Sequence, residues 1–107
     1  MSRLANVLIA GNNGPRLGEL ADSLTECGFQ ATQCTSAPGL LEEARLGQPD
    51  VALIDLTAGS LGPMELAIKL INSTDTGGMP VILFGADGSE ETFSQAVDIG
   101  VDDIILE

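Results

Sequence analysis

Four short aliphatic runs, each bounded by turn-forming residues, limit the folds open to this chain more than any other feature. They are NVLIA at 6–10, DVALIDL at 50–56, PVILF at 80–84 and DIILE at 103–107. Each is short and nearly continuous rather than alternating, as in strands of a parallel sheet covered on both faces. A fifth segment, FQATQC at 29–34, alternates and reads as an edge strand. Between them lie segments with the three-and-four spacing of amphipathic helices. Residues 15–27 carry Leu17, Leu20, Ala21 and Leu24, with Pro15 suited to a first turn and Gly28 to the position after the last. Residues 37–46 follow Ser36 as N-cap and present Leu40, Leu41 and Ala44. Residues 63–72 present Leu66, Ile68, Leu70 and Ile71, and 90–99 present Phe93, Ala96 and Val97 before Gly100. The order βαβαβαβαβ predicts an α/β fold, a doubly wound five-stranded parallel sheet with right-handed crossovers. With 107 residues, no internal repeat and no linker, a single domain over 1–107 is expected.

Composition removes several functions. The net charge is -12 and the basic residues are four, Arg3, Arg16, Arg45 and Lys69. No basic patch forms from so few, so neither direct nucleic acid binding nor an anionic membrane surface is expected. Aromatic residues are 3% of the chain, too few for base stacking. There is no His, which excludes His-based catalysis and His-containing metal sites. Cys27 and Cys34 lack the close paired spacing of a zinc site and read as small buried or half-buried hydrophobes in a reducing compartment. No signal peptide or membrane-length apolar segment is visible, so a cytoplasmic location is expected.

In doubly wound sheets, functional groups gather beyond the carboxyl ends of the strands. The first strand, VLIA, runs into GNNGPR, with Gly11, Asn12 and Asn13. This is no dinucleotide fingerprint, because Gly-x-Gly-x-x-Gly is absent. The third strand ends at Asp55, the fourth at Gly85 and Ala86, and the fifth at Glu107. Paired catalytic acids and a nucleophile elbow are both missing, so an enzyme is not expected.

Over its whole length the chain resembles the receiver domain of two-component response regulators, the CheY-like, flavodoxin-like family. The resemblance lies in VLIAGNNGPRLGELADSLTECGF, QPDVALIDL, MPVILFGADGSEE and AVDIGVDDIILE, with the PD-x4-D and G-x-D-D spacings the more specific matches. It implies strand order 2-1-3-4-5. It also implies an acidic pair after the first strand, a phosphorylated Asp after the third, a Thr or Ser after the fourth and a Lys after the fifth. Phosphoryl transfer to a carboxylate needs a divalent cation, and Mg²⁺ wants hard anionic oxygens. Placed on this sequence, the acidic-pair positions are Gly11 and Asn12, the acceptor is Asp55, the hydroxyl position is Gly85 and the Lys position is Glu107. Asp55 alone is retained, and the turn after it has become GSLGP at 59–63. A carboxylate ~4 Å from a phosphoryl charge, at an effective dielectric of ~20, costs on the order of 4 kcal/mol where a Lys would gain as much.

The resemblance therefore implies a degenerate pseudo-receiver, with no metal site and weak or absent Mg²⁺ binding. Its expected role is a phosphorylation-independent protein-interaction or dimerisation module in bacterial signalling. The alternative is an atypical phosphoacceptor taking a phosphoryl group on Asp55 from a histidine kinase or phosphotransfer partner. Asp55 also reads as a solvated or hydrogen-bonded acid left at a strand end, and Glu107 as a terminal residue in solvent. The interaction face implied by the family falls on Glu90, Glu91, Phe93, Ser94, Val97 and Asp98. A second receiver or an output domain, as in some cyclic-di-GMP signalling proteins, is an expected neighbour in a longer chain. The family's fifth helix is missing from this sequence. The sheet face beside the first helix is therefore expected to keep an exposed apolar strip, drawn from Leu8, Ile54 or neighbours on the same pleat, that drives self-association.

Overall fold

The computed structural model describes residues 5–11, 14–47, 49–57, 62–73, 79–86 and 90–106, without the side chains at positions 14, 16, 86, 93 and 106. Along it strand and helix alternate: β1 (Asn6–Ala10), α1 (Gly14–Glu26), β2 (Gln30–Cys34), α2 (Ala37–Gly47), β3 (Val51–Asp55), α3 (Pro63–Asn72), β4 (Val81–Ala86), α4 (Glu90–Ile99) and β5 (Asp103–Leu106). The strands form one parallel sheet in the order β2-β1-β3-β4-β5. The chain steps outward from β1 to β2, then returns to the far side of β1 for β3. That reversal puts the switch point between the carboxyl ends of β1 and β3.

Each strand alternates between two apolar layers. Leu8, Ala10, Ala52, Ile54, Val81 and Leu83 pack with Leu40 and Ala44 of α2, Leu66, Ala67 and Leu70 of α3, and Ala96 of α4. Val7, Ile9 and Phe84 point the other way and pack with Leu17 and Ala21 of α1. This corrects the expected strip: Leu8 and Ile54 belong to the covered layer and are fully buried. Opposite them, Val51 and Leu53 of β3 and Ile82 of β4 are half-buried, and Ile105 of β5 is 51% exposed. Among the described residues α1 is the helix packed on this face. The apolar surface therefore lies over β3–β5, on residues one position removed from those named.

Two aspartates fasten the strand starts in the same way. Asp50, just before β3, accepts the Asn6 N–H on Oδ2 at 2.7 Å, and its own N–H donates to the Asn6 carbonyl at 2.8 Å. Asp102, just before β5, accepts the Val81 N–H on Oδ2 at 2.8 Å, and its N–H donates to the Val81 carbonyl at 2.9 Å. In each ring a carboxylate takes the place of a backbone carbonyl and extends the ladder by one step. β3 accordingly begins at Val51 rather than Asp50. β4 runs on to Ala86 because a bulge at Gly85, with φ 79°, lets pairing with β5 resume beyond it.

The two thiols differ. Cys34 is buried at the end of β2, whereas Cys27 is exposed after α1, contrary to its expected burial. Burial, and then the charge of Glu43, push the Cys34 thiol pKa up. A thiol-reactive disulfide reagent at neutral pH is expected to modify Cys27 promptly and Cys34 only after denaturation. Asp102→Ala is expected to lower stability in urea by about 1–3 kcal/mol, because the Val81 N–H loses a charged acceptor. Asp102→Asn, which keeps an oxygen, is expected to cost less.

Candidate functional site

Asp55 closes β3 and is the buried charged residue of the described chain, with no exposed surface. Its Oδ1 accepts two hydrogen bonds from Thr57, one from the N–H at 2.9 Å and one from the hydroxyl at 2.7 Å. This is an Asx turn with a second bond added by the side chain. Thr57 is itself exposed and lies over the carboxylate. Oδ2 is buried and has no hydrogen-bond partner.

Gly11, one residue past β1, stands beside Asp55. Its N–H donates to the Cys34 carbonyl at 3.1 Å, which continues the β1–β2 ladder by one step. A Cβ at position 11 would lie 2.9 Å from Leu17 Cδ2 and 3.2 Å from Asp55 Cβ. Leu17 comes from the first turns of α1 and is fully buried. An aliphatic side chain thus occupies the space into which a side chain from position 11 would project.

Mg²⁺ requires an octahedron of hard oxygens. Position 11 offers no side chain, Leu17 covers it, and one oxygen of Asp55 is engaged by Thr57. Among the described residues no group of three or more His, Cys, Asp or Glu is placed to hold a metal ion. Asn12 and Glu107 lie outside the described residues.

Gly85 sits half-buried at the bulge of β4. On α4, Glu90, Glu91, Ser94, Val97 and Asp98 are all exposed, and Val97 is 59% exposed. They share the outer side of the helix, while Ala96 packs inward. Phe93 belongs to the same helix, but its side chain is outside the described set. The sequence reading missed Leu17 and Thr57 as parts of the site. The Asp-x-Thr pattern at 55–57 is a local signal for the turn that covers Asp55, whereas nothing local links Leu17 to Gly11.

No family model matches the sequence, and no curated protein matches it. Solved structures do. The chemotaxis response regulator CheY4 of Vibrio cholerae is similar with a TM-score of 0.88 and 14% identity, over 98% of this chain and 88% of that one. A CheY-like response regulator receiver domain protein from Methanospirillum hungatei JF-1 gives 0.86 and 21%, over 98% and 82%. A response regulator protein from Burkholderia pseudomallei, solved with a phosphorylated aspartic acid, a calcium ion and citrate, gives 0.86 and 22%, over 96% and 59%. With its sheet order and its nearly complete overlap with these structures, the chain has the fold of CheY-like receiver domains.

Proposed function

We propose that this chain is a degenerate receiver domain, a binding module rather than an enzyme, that acts in bacterial signalling through protein contact and without a phosphorylation switch. One observation carries this reading: position 11 beside Asp55 bears no side chain, and Leu17 Cδ2 lies 2.9 Å from where its Cβ would be, leaving a metal-binding carboxylate no room there. Phosphoryl transfer to Asp55 would need that cation. The sealing of Asp55 under Thr57 supports the same reading, because neither carboxylate oxygen has exposed surface.

Under this proposal, Asp55 serves the turn that follows β3. Contact with a protein partner or a second copy falls on the outer side of α4, where Val97 stands among Glu90, Glu91, Ser94 and Asp98. An apolar center ringed by acids suits a partner surface that carries basic residues.

The phosphoacceptor reading has one observation in its favour, the buried Oδ2 with no hydrogen-bond partner. The two readings separate in amide NMR spectra recorded with Mg²⁺ and then with beryllium fluoride, which stands in for a phosphoryl group. The expected result is no saturable change at Gly11, Asp55–Thr57 or Gly85. Saturable shifts there, lost in Asp55→Ala, would establish a phosphorylation switch instead. Gly11→Ala is expected to lower stability by about 1–3 kcal/mol in urea, the usual cost of overpacking. An unchanged midpoint would show that Leu17 yields freely and remove the main support for the proposal.

A further inference from the structure

Past the carboxyl ends of β3 and β4, the facing sides of α3 and α4 leave a cleft of about 310 Å³. Its size falls at the lower end of small-molecule sites, roughly 300–1,000 Å³. Leu56, Pro63 and Met64 supply apolar wall, and Thr57, Thr92 and Gln95 supply uncharged polar groups. Gly85 also lines it. At the bulge its backbone is held at φ 79°, a conformation that disfavours side chains, so no side chain from β4 fills the cleft at this position.

The chemistry of the lining selects a class of ligand. Among the described residues the lining carries no charge, and a protein of net charge -12 repels anions. A hydroxyl has one proton to give, and Thr57 gives its proton to Asp55 Oδ1 at 2.7 Å. Toward the cleft Thr57 is left with acceptor capacity only. Met64 brings a flexible side chain that adapts to irregular apolar shapes.

We propose that this cleft is a binding site for a small uncharged molecule with an apolar body and one hydrogen-bond donor, received by the Thr57 oxygen. The buried aspartate then has a second effect: it fixes the polarity of the threonine that the ligand meets. The proposal goes beyond the interaction-module reading and does not rest on it, since the cleft binds or fails to bind whatever α4 contacts.

The test is an amide NMR titration with three probes of one shape: cyclohexanol, cyclohexanone and cyclohexanecarboxylate. Cyclohexanol is expected to give saturable shifts at Leu56, Thr57, Gly85, Thr92 and Gln95. The ketone, which has no donor, and the carboxylate are each expected to bind about fivefold more weakly or worse, the share of one hydrogen bond. In Thr57→Val the preference for alcohol over ketone is expected to vanish. In Gln95→Trp and Met64→Trp, which narrow the cleft from either helix, affinity is expected to fall, with spectral dispersion reporting that each variant folds. Absence of saturable shifts, equal affinity for the three probes, or binding unchanged in a folded Trp variant would overturn the proposal.

Discussion

Twice in this sheet an aspartate just before one strand closes a ring with the first residue of its neighbour. Asp50 does so with Asn6, and Asp102 with Val81. Each ring fixes where two parallel strands begin relative to one another. Parallel strands have no hairpin turn to set their register, so it must come from packing or from such end contacts. In β1 and β3 the register runs from Val7 opposite Val51 to Ala10 opposite Ile54. The next residues along, Gly11 and Asp55, therefore emerge side by side. A slip of one residue would move Asp55 to the other face and send Ile54 into its place. The geometry of the site at the top of the sheet thus depends on hydrogen bonds made at its bottom.

The site itself is made by packing more than by charge. Asp55 is screened from water and bonded on one oxygen by the residue two positions on. A carboxylate at a strand end is open to chemistry when water, cations and donors reach it. Here Thr57 holds one of its oxygens through two hydrogen bonds. Exposed acids line the outer side of α4, where Glu90, Glu91 and Asp98 share the helix face with Val97.

Strand and helix order was legible because each continuous aliphatic run could only be a strand covered on both faces. The same continuity hid which face each residue takes. In VLIA and VALI every position is apolar, so no alternation tells Leu8 from Val7 or Ile54 from Leu53, and the exposed strip was placed on the wrong parity. Asp50 read as the start of a strand and Asp102 only as part of the G-x-D-D spacing, because a ring of one side chain and two backbone groups leaves no periodic trace. Gly11 and Asp55 were legible as site positions from their place after β1 and β3. Leu17 was legible only as part of a helix face: that its methyl groups reach Gly11 depends on how α1 settles over β1. Cys27 follows α1 directly in the hydrogen-bonded turn that closes the helix, and its side chain is left in water.

The contact between Leu17 and Gly11 also bears on how such a domain changes over generations. Consider a lineage moving from this packing toward an acidic, cation-binding strand end. Enlarging position 11 first crowds a filled space. Shrinking Leu17 first leaves a void in a buried cluster, which for Leu→Ala costs about 2–5 kcal/mol, a large part of the 5–15 kcal/mol that typically holds a domain together. Either order passes through a weakened protein, although the two changes together need not. Such a pair acts as a ratchet: each residue is held in place by the other, and selection working one substitution at a time meets a valley on both routes.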